Sequence, residues 1–124
     1  METQTDLELG IGTKEMEKLK PQIVKIVKVR VEEVGDKKNE KLVCSSKHPS
    51  KEEPIDISSI RYLKNDKVTT TGLWINKDED GMIRKGSALA VLMTTLQADI
   101  LKQLEGKEVA TIQDENGYLC FKVY

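Results

Sequence analysis

The chain has 124 residues, of which 38% are hydrophobic and 33% charged, and its net charge is −1. This length fits one domain with a single core, and this composition is typical of a folded protein rather than a disordered one. The apolar runs are only a few residues long, which argues against a membrane-spanning helix. The near-zero net charge argues against a dedicated duplex-DNA binder, which is usually far more basic.

The charge is unevenly distributed along the chain. Residues 1–13 carry −3, residues 14–67 carry +4 and residues 68–124 carry −2. The cations of the middle segment favour an anionic partner along the first strands. Residues 1–20 are predicted to form an acidic tail with a short helix at 14–19, which Pro21 would end. Residues 1–8 carry acids and lack the basic stretch followed by an apolar stretch that a secretory signal has, so no such signal is predicted there.

Two cysteines are too few and too far apart for a disulfide framework. Cys44 and Cys120 each lie in a run that resembles a strand, so we expect reduced thiols packed as small apolar residues. Reduced thiols favour a reducing, cytoplasmic location.

The first predicted strand, residues 23–34, is long and changes its apolar face part of the way along. Val24 and Ile26 share one parity, whereas Val29 and Val31 share the other. Such a change near residue 27 requires either a bulge or a strand that is buried on both faces. A bent strand shared by two halves of a barrel would account for it.

Turn-forming segments separate the other predicted strands. The strands are residues 42–46, 55–63, 68–75, 107–113 and 118–124. The segments at 78–81 and 114–117 each end in glycine and are predicted to be turns with a positive φ at that glycine.

Between residues 85 and 106 the apolar period changes from two to about 3.6, which predicts helix. Ser87 is well placed to cap this stretch, and residues 97–99 are predicted to divide it into two helices that end near Glu105. Several strands, helices and two final strands give the order β-β-β(β)-α-β-β. This is the order of the OB-fold, a mainly β barrel in which the helix plugs one end.

Short segments at both ends of the helical stretch resemble a known family. They read Lys85-Gly86-Ser87-x-Leu89 and Leu104-x-Gly106-Lys107-x-Val109. Residues 80–124 resemble the helix-to-last-hairpin half of OB-like proteins of archaea and phages, several of them linked to single-stranded DNA. The resemblance implies an OB-like barrel over residues 21–124.

The residues expected to bind are cations near the first hairpin and aromatic side chains on strands. In OB-folds the first hairpin loop and the face of strands two and three bind oligonucleotides, and single-strand binding combines cations with stacking aromatics. We therefore expect low-specificity, non-enzymatic binding of single-stranded nucleic acid. The phosphate-binding candidates are Lys28, Arg30, Lys37, Lys38 and Lys41, and the stacking candidates are Trp74, Tyr62 and Tyr118.

Two alternatives apply to these candidates. In the first alternative, the cations are ordinary solubilising charges, because acids alternate with them. In the second, Trp74 lies in the core or at a subunit contact. A protein-interaction or assembly module without a nucleic-acid role is the rival interpretation. In it Trp74 and an edge strand at residues 118–124 would meet a partner or a second copy.

No catalytic, metal or cofactor site is predicted. His48 is the sole histidine, lies in a polar loop and is predicted to be solvated, because no nucleophile or orienting carboxylate is specified for it. Residues 76–81 imitate the start of a calcium loop, but its twelfth position is Ser87 instead of glutamate. Turn formation explains that segment better.

Overall fold

Alternating apolar and polar residues produce strands, which make up most of the regular secondary structure of residues 19–124. The structure is a computed structural model that describes residues 19–124. Residues 1–18, which contain most of the predicted tail and of its short helix, lie outside the described residues. Over these residues the fold is mainly β, as predicted, and contains one α-helix and one 3-10 helix. The elements are β1 (Val24–Val34), β2 (Asn39–Lys47), β3 (Ile55–Ile57), β4 (Ser59–Lys64), β5 (Lys67–Gly72), α1 (Ala88–Thr95), a 3-10 helix (Leu101–Leu104), β6 (Glu108–Val109), β7 (Thr111–Gln113) and β8 (Leu119–Val123).

Within residues 19–124 the strands form two four-stranded sheets, with the orders β3-β2-β1-β6 and β5-β4-β8-β7. Every pair is antiparallel except β4 with β8. The chain passes between the sheets where β3 leads into β4 and where β6 leads into β7. The Leu42 amide also donates to the Leu73 carbonyl at 2.8 Å, so the segment after β5 lies beside the start of β2.

Of the two explanations predicted for the change of face in β1, a bulge or burial on both faces, the structure shows the bulge. The register between β1 and β2 shifts between Ile26 and Lys28, which leaves Val27 as the extra residue. Ile26 is buried before the shift, and Val29 is half-buried after it, opposite the buried Cys44. The bulge therefore keeps apolar side chains on the inner side in both parts of the strand.

Beyond the bulge, one edge of β1 has no strand beside it within residues 19–124. Among these residues β1 pairs with β6 only at Val24 and Lys25, and from Lys28 onward it pairs with β2 alone. The Val29 amide on this side donates to Glu105 Oε2 at 3.1 Å. Three exposed valines lie at the bulge and beyond it in β1, and we call them the valine edge: Val27, Val31 and Val34, which are 50%, 45% and 41% exposed.

Helix α1 begins at the predicted cap, because the Ala90 amide donates to Ser87 Oγ at 3.2 Å. Its buried side packs into the core through Leu89 and Leu92. The predicted interruption is confirmed, since Gln97 has a φ of 58°. The second predicted helix is wrong in type: it is one 3-10 turn, because few residues separate the turn at Gln97 from the return of the chain at Gly106.

One core joins both sheets and α1. Its fully buried members include Ile26, Leu42, Ile60, Leu92 and Phe121. Cys44 and Cys120 are buried as predicted; burial raises the pKa of the Cys44 thiol to about 12, and it also raises that of Cys120.

The prediction that residues 118–124 form an edge strand is wrong. β8 lies between β4 and β7, and its backbone forms hydrogen bonds with both neighbours.

No helix within residues 19–124 has the length and apolar character needed to cross a membrane.

Candidate nucleic-acid interface

Three of the predicted cations lie together on the outer face of β1 and β2. Lys28 lies opposite Ser45, Arg30 opposite Val43, and Lys41 opposite Glu32. Since side chains alternate along a strand, all of these residues point away from the core side that carries Cys44 and Leu42. A bridge between Lys41 and Trp74 adds the tryptophan to the same face. We call Lys28, Arg30, Lys41 and Trp74 the cationic face.

Arg30 is held by carboxylates. Its two terminal nitrogens donate to Asp56 at 3.2 and 2.8 Å, and its Nε donates to Glu32 at 3.4 Å. The hydrogen bond from Arg30 lowers the pKa of Asp56, and the same bond raises the pKa of Arg30. Ser45 also donates to Asp56, at 3.1 Å. The guanidinium is therefore positioned but largely neutralised. No local sequence pattern indicates this contact, because Asp56 lies 26 positions after Arg30 in the chain.

Lys41 and Trp74 form the aromatic part of the face. Lys41 Nζ lies 5.0 Å from the centre of the Trp74 ring, within the range of a cation–π contact. Gly72 allows this arrangement, since a Cβ there would lie 2.9 Å from both Lys41 Cε and Trp74 Nε1. Trp74 is half-buried, which fits neither a fully exposed platform nor a core residue.

The remaining predicted cations are exposed. Lys28 is on the face itself, while Lys37 and Lys38 occupy the turn between β1 and β2. Lys38 has a φ of 53°, so the turn is tight at that point. Across the described residues, Lys28, Lys37 and Lys38 have no carboxylate within ion-pair distance.

Tyr118 lies at the other side of this face. The residue is 47% exposed and lines a cleft of about 180 Å³ together with Asp56, the partner of Arg30. The turn before it is confirmed: Asp114 Oδ1 accepts from the amides of Asn116 and Tyr118, at 2.9 and 3.0 Å. Tyr118 is thus near the cationic face although it comes from the last hairpin.

The prediction that Tyr62 stacks on bases at the surface is wrong. Tyr62 is 4% exposed and belongs to the core, because it shares the inward parity of Ile60 on β4. An exposed Tyr62 would require Ile60 and Tyr62 to point outward from β4, whereas both point into the core.

The prediction that His48 is solvated is also wrong. The side chain is fully buried; its Nε2 donates to the Lys20 carbonyl at 2.8 Å, and its Nδ1 accepts from the Ser50 amide at 3.0 Å. It ties the loop after β2 to the segment before β1. No local signal identified it, because Lys20 lies 28 positions away.

The calcium-like segment is a turn, as predicted. Asp78 Oδ1 accepts from the amides of Asp80 and Met82, and Gly81 has a φ of 78°. Within residues 19–124 no three His, Cys, Asp or Glu side chains are grouped so that they could hold a metal ion.

The cationic face, with Tyr118 beside it, therefore combines free cations, one neutralised arginine and one half-buried indole ring. This combination can bind phosphates and aromatic rings. Comparisons with known proteins add nothing to the geometry: no family model, curated protein or solved structure matches the chain.

Proposed function

We propose that this chain is an OB-like barrel that binds single-stranded nucleic acid through its cationic face, without catalysis. The observation that carries the proposal is the Lys41–Trp74 pair on the same outer face as Lys28. Single-strand binding requires this combination of cations for phosphates and a ring for stacked bases.

Strand connections support the OB-like part of the proposal. β3 and β4 act as one interrupted strand that pairs first with β2 and then, in parallel, with β8. β6 and β7 act as another, which pairs first with β1 and then with β8. The pairings therefore run in a ring, with α1 between the third and fourth of five strands, the order of an OB-fold. β5 is an addition to that order.

The chemistry of the face favours low base specificity. Lys28, Lys37 and Lys38 can contact phosphates, which carry no sequence information. Every base has an aromatic face that can stack on Trp74. Because Asp56 and Glu32 hold Arg30, we expect moderate affinity.

Fluorescence of the single tryptophan tests the proposal. Titration with a 15-nucleotide single strand at low salt is expected to change Trp74 emission, and the affinity is expected to fall as salt rises, because counterions are released from the phosphates. Charge reversal at Lys28 (Lys28→Glu) is expected to weaken binding more than the same reversal at Lys107, which lies outside the face. The absence of a change at micromolar protein and low salt would contradict the proposal.

Self-association is the second candidate, and the valine edge favours it. Within residues 19–124 no strand pairs with this edge of β1 beyond Lys28, and the backbone groups of such an edge, flanked by exposed apolar side chains, form a template for another strand. Sedimentation of wild type and of Val31→Lys at several concentrations tests this candidate. A tight dimer that Val31→Lys dissociates, without any response to oligonucleotide, would favour it over the first.

A further inference from the structure

Next to the cationic face lies a cleft between β4, β5 and the start of α1. Its volume is about 170 Å³. Trp74 lines it, so the ring that Lys41 contacts also borders this cleft. The cleft thus begins where a strand bound to the cationic face would pass.

Tyr62 provides an unsatisfied polar group in this cleft. The residue is 96% buried and lines the cleft, and its hydroxyl has no hydrogen-bond partner among residues 19–124. Solvent nevertheless reaches that hydroxyl. Among residues 19–124, Arg61 Nε is the one polar side-chain atom that is both fully buried and without a partner, so the unpartnered Tyr62 hydroxyl is not fully buried. Buried polar groups are normally hydrogen-bonded, so a hydroxyl left open in a cleft is suited to bind a ligand atom.

Further polar groups surround the same space. Thr71, Asn76 and Lys64 line the cleft, and within residues 19–124 their side chains form no hydrogen bond or ion pair. A hydroxyl and an amide both donate and accept, whereas the lysine only donates. Donors and acceptors beside an aromatic ring match the edge and the face of a planar heterocycle.

We propose that this cleft takes one nucleobase of the bound strand and reads its edge. The base lies against Trp74, its edge is hydrogen-bonded by Tyr62 and Asn76, and Lys64 contacts the adjoining phosphate. The inference rests on the proposed function and adds base preference at one position to binding that is otherwise insensitive to sequence.

The variant Tyr62→Phe tests the inference, because it removes the hydroxyl and retains the ring that packs in the core. Tyr124→Phe is the matched control, since Tyr124 is exposed near the end of β8 and does not line the cleft. Binding is measured with 15-nucleotide strands of A, C or T alone. Wild type is expected to prefer one of the three strands. Tyr62→Phe is expected to weaken binding of that strand by roughly two- to tenfold, the usual effect of losing one hydrogen bond.

Nuclear magnetic resonance gives a second readout that does not depend on long strands. Millimolar nucleoside monophosphates are expected to shift the Trp74 indole N–H and the amides of Thr71 and Asn76. If Tyr62→Phe fails to fold, as a melting curve would reveal, Asn76→Ala carries the test instead.

The outcomes separate this inference from the proposed function. A base preference that Tyr62→Phe reduces and Tyr124→Phe retains supports the cleft. Equal binding of all strands, with no effect of either cleft variant and no shift in the cleft, overturns the cleft and leaves the proposed function standing. Shifts by monophosphates without binding of any strand overturn the proposed function and, with it, the reading of a bound strand, and leave only a cleft that binds single nucleotides. No response of either kind overturns both.

Discussion

The cationic face and the valine edge lie on the same strand, β1, but they differ in chemistry. The face presents Lys28 and Arg30 beside Lys41 and Trp74, whereas the edge combines exposed valines with backbone that has no partner strand within residues 19–124. The face suits a charged, aromatic ligand and the edge suits another strand of protein. One β-strand can therefore serve two kinds of partner, and variants that alter one side only can distinguish them.

Removal of the indole ring is expected to have the largest effect on the face. Trp74→Ala should weaken oligonucleotide binding by about 1–3 kcal/mol, the usual contribution of a stacked base. Fluorescence anisotropy of a labelled strand measures this loss, since the variant has no tryptophan. Val31→Ala is the control on the edge and should leave affinity within about twofold of wild type, because surface substitutions usually cost under about 0.5 kcal/mol. Equal losses of affinity in Trp74→Ala and Val31→Ala would contradict separate roles for the cationic face and the valine edge.

Substitution of Gly72 is expected to have a smaller effect. A Cβ at this position would lie 2.9 Å from Lys41 Cε and Trp74 Nε1, so one of these side chains must move. Gly72→Ala should weaken binding by about 0.5–1 kcal/mol, the size of an exposed cation–π contact. Thr70→Ala is the control on the same strand.

A double-mutant cycle identifies the cause of this loss. Lys41→Ala should cost less in the Gly72→Ala background than in wild type. Independent, additive losses would mean that Gly72 does not maintain the Lys41–Trp74 pair.

Release of Arg30 is expected to strengthen the face. Asp56→Asn removes the main carboxylate partner of Arg30 and frees its guanidinium. Affinity for a single strand should rise, and the plot of log affinity against log salt should become steeper by about 0.7 for the additional phosphate contact. Glu33→Gln removes the same charge from the opposite side of β1. An identical gain in that variant would assign the effect to net charge alone.

The smallest expected effect is on stability at low pH. The folded state lowers the pKa of Asp56, so this carboxylate stabilises the fold above its unfolded pKa, and the contribution is lost as the pH falls through its folded pKa. The loss therefore begins below about pH 3.9, the ordinary value for aspartate. It should be small because water screens this exposed pair. Urea unfolding between pH 5 and 2 measures it, and the difference between wild type and Asp56→Asn should shrink towards low pH. A constant difference would contradict the role of the Arg30 contact.

Local sequence signals predicted the elements well. The change of parity in β1 indicated either a bulge or burial on both faces, of which the structure has the bulge, and Ser87 predicted the start of α1. These features depend on neighbours in sequence, which period and capping preferences describe directly.

Long-range pairing could not be predicted in the same way. The inward parity of Tyr62, the burial of His48 and the capture of Arg30 by Asp56 all depend on which strands become neighbours. The same is true of β8, which the sequence could not place between β4 and β7. For the candidate site, composition identified the cations, but only the register identified which of them share a face.

The bulge also determines which deletions β1 can accept. Val27 has no partner on β2, since Ile26 pairs with Ser46 and Lys28 pairs with the adjacent Ser45. Loss of Val27 would therefore restore regular alternation and keep Lys28 outside. Loss of a residue between Lys28 and Val34 would reverse the facing of one part of the strand and carry charges into the core. Among relatives of this chain, length variation within β1 is thus expected at position 27, where it would change the bend of the strand and keep the residues on either side of it facing as they do now.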